Sequence, residues 1–152
     1  IDEDYVQRIL DVFASIEGDA LREIAASGMY TPEADDLYAS MYTGQALQEQ
    51  RDIWSLVLES GEVGDILRDQ PSPRIWTLVN LDQSSSDCFV GRIRLDFEPS
   101  NVLGEADARF EELFVWVVAE GGSKTEDEPP LWRIRDEGNL PTGQSEVPKL
   151  CQ

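Results

Sequence analysis

Arg92-Ile93-Arg94-Leu95-Asp96-Phe97-Glu98 alternates charged and apolar residues without a break, which is the two-residue period of a strand with one face packed and the other in water. Ile93, Leu95 and Phe97 belong to the packed face, and Arg92, Arg94, Asp96 and Glu98 to the wet one. Upstream, after the break Pro71-Ser72-Pro73, Arg74 to Leu81 is a β-rich run containing Trp76, Thr77 and Val79. The polar segment Asp82-Gln83-Ser84-Ser85-Ser86-Asp87 then turns the chain into the alternating strand, which predicts a hairpin. Downstream, Phe110 to Ala119 is apolar on both parities and is expected to be a central strand covered on both sides. A charged loop with Gly and Pro runs from Gly121 to Pro130, Leu131-Trp132-Arg133-Ile134-Arg135 returns as the last strand, and no period follows from Gly138 onward.

The first 60 residues carry the other period. Tyr5, Ile9, Phe13 and Ile16 stand four, four and three apart, with Val6, Leu10 and Val12 widening the stripe, so an amphipathic helix is expected. Glu17-Gly18-Asp19 reads as a kink, with a second short helix carrying Leu21, Ile24 and Ala25 to a stop at Gly28. Thr31-Pro32-Glu33 starts another helix, because Thr caps, Pro suits the first helical position and Glu favours the positive helix end. Leu37, Tyr38, Met41 and Tyr42 form its buried side. Gly44 interrupts, and Ala46, Leu47, Ile53, Trp54, Val57 and Leu58 recur at helical spacing as far as Ser60-Gly61. Helices followed by a run of hairpin-linked strands predict an α+β domain, with the N-terminal helices packed on a curved, mainly antiparallel sheet of at least four strands.

The chain has 152 residues, enough for one domain, and 31 acidic against 12 basic residues give a formal charge of -19 without any His. That field opposes nucleic acid and anionic membrane surfaces, whose binding depends on basic residues. Without His, and with two Cys, the usual imidazole base and Cys/His metal sites are missing, so no metal and no cofactor is expected. No segment approaches the roughly 20 apolar residues of a spanning helix. The sequence begins at Ile1 rather than Met, which suggests a processed chain whose upstream signal or anchor has gone, leaving any membrane link to that segment. Spacing does not decide whether Cys88 and Cys151 are bridged or free. We expect a bridge that ties down the tail and places the protein in an oxidising, extracytoplasmic compartment, although a halophile's cytosol also selects acidic surfaces.

Ile9-Leu10-Asp11-Val12-Phe13 with Gly18-Asp19-Ala20-Leu21-Arg22-Glu23-Ile24 resembles the opening of nuclear transport factor 2-like domains, where a helix, a Gly-Asp turn and a Leu-rich helix recur. Tyr42-Thr43-Gly44-Gln45-Ala46-Leu47 is similar to that superfamily's approach to its third helix, and Leu131-Trp132-Arg133-Ile134 to its closing strand. The resemblance implies a cystatin-like cone over residues 1–137 as a single domain, with 138–152 an irregular tail. It departs from the pattern in its long helical middle and its Cys-containing tail. The cone implies an apolar pocket, for which Tyr38, Tyr42, Trp54, Trp116 and Trp132 are the lining candidates, unless they simply fill it as core.

Enzymes of the ketosteroid isomerase type in that superfamily use a buried carboxylate base with a Tyr or a protonated acid, chemistry that needs no His. Such a site would show one buried carboxylate in an apolar pocket, with a raised pKa and a Tyr or second acid in hydrogen-bond reach. No Asp or Glu stands alone in an apolar run: Asp96 alternates outward, and Asp11 and Asp19 read as helix-boundary residues. Arg92, Arg94, Arg133 and Arg135 form a candidate anion-binding ladder, or pair with Asp96, Glu98, Glu111 or Asp136. Glu126-Asp127-Glu128 lacks the spacing of a calcium loop, and Gly121-Gly122-Ser123-Lys124-Thr125 lacks the upstream Gly of a phosphate loop. The expectation is therefore a non-catalytic extracytoplasmic binding or interaction domain of a secreted or anchored bacterial protein. It would take a small apolar ligand or a protein partner, with a homodimer through the outer sheet face possible. The alternative is a small-molecule isomerase, cyclase or hydrolase with a carboxylate base in the cone.

Overall fold

The computed structural model describes residues 1–60, 74–97, 109–120, 131–138 and 149–151. Three helices precede four strands: α1 (Glu3–Ser27), α2 (Pro32–Ala39), α3 (Gly44–Ser60), β1 (Ile75–Ser85), β2 (Cys88–Phe97), β3 (Arg109–Glu120) and β4 (Leu131–Gly138). The strands form one antiparallel sheet in chain order, and the helices pack on one of its faces, so the domain is α+β with a curved sheet. The loop 121–130, the break at 71–73 and most of the tail lie outside the described residues.

Helix α1 starts where Asp2 accepts the Tyr5 N–H at 2.8 Å, with Glu3 and Asp4 against the positive helix end. It stops at Gly28, whose φ of 69° is left-handed and whose N–H reaches the Ile24 carbonyl. The kink expected at Glu17-Gly18-Asp19 is absent: α1 runs through it as one helix of 25 residues. Gly18 costs about 1 kcal/mol in a helix interior, and the burial of Val6, Leu10, Phe13, Ala20 and Ile24 along the same helix outweighs that. Asp11 and Asp19 are consequently mid-helix surface residues, not boundary caps, and pair with Gln7 and Arg22.

Thr31 caps α2 by accepting the Ala34 N–H at 3.1 Å, with Pro32 in the first turn. Gly44, at φ 58°, makes the left-handed step that separates α2 from α3. Helix α3 buries Ala46 and Trp54, whereas Ile53, expected on its packed side, is 50% exposed.

The hairpin between β1 and β2 is tighter than its polar sequence suggests. Gln83, Ser84 and Ser85 pair with Val90, Phe89 and Cys88, leaving Ser86 and Asp87 as the turn. Register shifts near Val79 and Asp82 let this polar run stay in the ladder. Gly91 fits beneath β1, since a Cβ there would meet Leu78 Cδ1 at 3.1 Å and the Asn80 carbonyl at 3.3 Å. Strand β3 is central, as expected, between β2 and β4. Its Val115 and Val117 join Phe89, Ile93, Leu95, Trp76 and Ile134 under the helices. Phe114, Trp116 and Val118 face the other way and pack with Val90, Leu150 and the Cys88–Cys151 disulfide. The bridge thus ties residue 151 to the outer sheet face. The edge of β4 is covered where Thr43 N–H donates to the Ile134 carbonyl and Ile134 N–H to the Met41 carbonyl.

Candidate functional site

The five aromatic candidates do not share one space. Tyr38, Tyr42 and Trp54 lie together under the helices, Tyr38 within 6.2 Å of Tyr42 and 6.4 Å of Trp54 between ring centres, with Tyr30 stacked on Trp54. Trp132 is on the same face but joins Tyr5 and Phe89, and its indole N–H donates to the Tyr5 hydroxyl at 3.1 Å. Trp116 is on the opposite face of the sheet, so it lines no interior with the other four.

Two carboxylates join the inner aromatics, and neither stood out in the sequence. Glu17, 3% exposed on α1, takes a two-pronged ion pair from Arg74, with Nε donating at 2.8 Å, and Trp76 Nε1 stands 3.4 Å away. Burial works against the Arg74 charge, but the hydrogen bond to Glu17 and its field hold the guanidinium above its ordinary range. Arg74 also lies 5.8 Å over the Trp76 ring.

Glu137 arrives by a change of register. Ile134 pairs with Val117 and Asp136 with Trp116, leaving Arg135 as an extra residue opposite the step Trp116–Val117. Strict alternation from Ile134 would send Asp136 inward. The bulge instead places Glu137 beside Val115, on the helix-covered face. There Tyr42 Oη donates to its carboxylate at 3.3 Å and Gln50 Nε2 at 3.1 Å. Burial raises the Glu137 pKa; Arg74 and the Tyr42 hydrogen bond oppose the rise, Glu17 and Glu49 add to it, and the carboxyl reaches about 7. Burial also lifts the Tyr42 hydroxyl well above its usual range and Tyr38 to about 12, so both stay protonated donors at neutral pH.

The four arginines share the outer face without forming one ladder. Arg92 stands 3.6 Å from Asp82, Arg94 2.9 Å from Asp96 and Arg133 3.0 Å from Glu120, while Arg135 lies 4.9 Å over the Trp116 ring. Of the acids expected to pair with them, Asp96 does so; Asp82 and Glu120 take the places foreseen for Glu111 and Asp136, and Glu98 lies outside the described residues. Glu126-Asp127-Glu128 and Gly121-Gly122-Ser123-Lys124-Thr125 lie outside them too.

Beside β4 opens a groove of about 540 Å³, lined by Thr43, Gly44, Gln45 and Glu49 from the start of α3 and by Trp116, Glu120, Arg135 and Asp136 from the sheet. Thr43 Oγ1 donates to Glu120 at 2.6 Å. That hydrogen bond, with Arg133, holds the Glu120 carboxyl below its usual range, which leaves it a poor base for activating the hydroxyl. The Trp116 indole N–H is buried and has no hydrogen-bond partner among the described residues. No protein-family model, no curated protein and no solved structure matches this chain.

Proposed function

We propose that this chain is a non-catalytic binding domain of a secreted or membrane-anchored bacterial protein, built on the cystatin-like cone of the nuclear transport factor 2-like superfamily. The observation that carries the binding reading is the groove beside β4. Its size is ordinary for a small-molecule site, and its walls offer recognition groups, with Thr43 and Glu120 hydrogen-bonded to each other. The Cys88–Cys151 bridge supports the extracytoplasmic placement, because reducing compartments rarely keep structural disulfides. Among the described residues, no helix is long and apolar enough to cross a membrane.

One observation favours the enzymatic alternative. Glu137 has a pKa of about 7 and Tyr42 in hydrogen-bond reach, two of the three features of a carboxylate base site. The third, an apolar pocket in front of the carboxylate, is not met by its immediate partners, which are the donors of Tyr42 and Gln50. We therefore place Glu137 as a satisfied interior acid. A thermal-shift screen of the oxidised protein against a metabolite collection, repeated on Glu137→Gln, separates the readings. Ligands that stabilise both proteins alike and are recovered chemically unchanged support binding. Conversion of any ligand by the wild type, lost in Glu137→Gln, contradicts it and establishes the enzyme.

A further inference from the structure

The groove beside β4 holds unpaired groups of both signs. On one side Arg135 stacks on Trp116 and makes no ion pair among the described residues, and the Trp116 indole N–H is buried without an acceptor. Helix α3 begins in the groove's other wall with Gly44 and Gln45, where first-turn N–H groups and the positive helix end favour an acceptor. Glu49 on α3 and Asp136 on β4 face the groove from its two walls as exposed carboxylates with no hydrogen bond or ion pair among the described residues. Glu120 is already committed to Thr43 and Arg133.

Charge then selects the ligand. A simple anion is opposed by three groove carboxylates and by a chain charge of -19. A simple cation leaves the Trp116 N–H, Arg135 and the start of α3 without acceptors, and a buried donor without an acceptor is costly. A molecule carrying both charges a few ångströms apart answers both sets.

We propose that this groove binds a small zwitterion of the α-amino-acid type. Its carboxylate is held by Arg135, the Trp116 N–H and the α3 N-terminus, and its ammonium group lies between Glu49 and Asp136. Arg135 swings from the Trp116 ring face to meet the carboxylate. The inference rests on the reading of the chain as a binding domain and names the ligand class for that site.

Isothermal titration of the oxidised full chain at low salt with each of the common L-amino acids tests it, alongside the N-acetyl and carboxamide derivatives of any that bind. At least one amino acid is expected to bind. Loss of either charge in the ligand should weaken binding about tenfold or more, the scale of one charge-assisted hydrogen bond. Arg135→Gln and the pair Glu49→Gln with Asp136→Asn should each do the same, and because all three residues are exposed, folding is not at stake. Trp116→Phe, which keeps an aromatic face and removes the donor, should weaken binding in the same direction. Binding of derivatives as tight as the parent, or variants equal to wild type, overturns the proposal. If no amino acid binds while other metabolites stabilise the protein, the ligand class is wrong and the binding reading stands; if nothing binds at all, both fall.

Discussion

On the helix-covered face of the sheet the Glu17 carboxylate is 3% exposed and is met by Arg74 and Trp76; on the outer face Arg92 and Arg94 keep their charges near water and pair with Asp82 and Asp96. The inner face is largely shielded from water, so a charge there gains from a dedicated partner. Among the described residues, the outer face has no helix over it. Its apolar residues gather around a covalent tie, Cys88–Cys151, with Val90, Phe114 and Trp116 beneath it. One face is thus held by packed helices and matched charges, the other by a bridge and solvated pairs.

The inner pair offers the hardest test of that contrast. Replacing Arg74 by Met strands the Glu17 carboxylate in the interior, and chemical denaturation should show a loss of about 3–5 kcal/mol. A loss below about 1 kcal/mol would mean that Glu17 is solvated and the inner face wet. On the outer face, the double change Cys88→Ala with Cys151→Ala opens a tie between positions 63 apart in sequence. The expected loss is about 2–4 kcal/mol in the same assay, with the near-neutral result reserved for a tail that does not fold against the sheet.

How far the sequence revealed these two faces depended on period. Ile93 and Leu95 against Arg92 and Arg94 alternate without a defect, and β2 follows them residue by residue. The two-sided apolar run of β3 was legible for the same reason, since Val115 and Val117 are under the helices and Phe114 and Trp116 are on the outer face. Glu137 was hidden because a bulge at Arg135 shifts parity by one, and nothing in Arg135-Asp136-Glu137 marks which residue is extra. Glu17 was hidden for a different reason. Beside Gly18 and Asp19 it reads as a break, and its partner Arg74 is 57 residues away, a pairing that no local pattern reports. Trp116 reads as a lining aromatic like the other four because residue type carries no face.

Smaller effects sharpen the contrast. A carboxyl raised from 4.5 to about 7 on folding binds more protons in the native state between those values. Its contribution is therefore most favourable below pH 4.5, declines as pH rises through that window, and is constant above it. Glu137→Gln removes this decline, so the variant should gain on the wild type by up to about 3 kcal/mol between pH 4.5 and 7, measured by urea unfolding at several pH values. An outer-face counterpart, Arg92→Gln, should change stability by less than about 0.5 kcal/mol, because the Arg92 side chain is half in water and stands 3.6 Å from Asp82. A larger loss would show that the outer pairs are as structural as the inner one.

The β4 bulge turns the half-buried Glu137 toward the helix-covered face, beside Tyr42 and Gln50. Carbon-detected NMR titration of the Glu side-chain carboxyls, with the Glu137 signal assigned by its loss in Glu137→Gln, tests this directly. Glu137 is expected to show a midpoint of about 7, displaced from the ordinary 4.5. A midpoint at 4.5 would contradict it, placing the carboxyl in water and the bulge elsewhere.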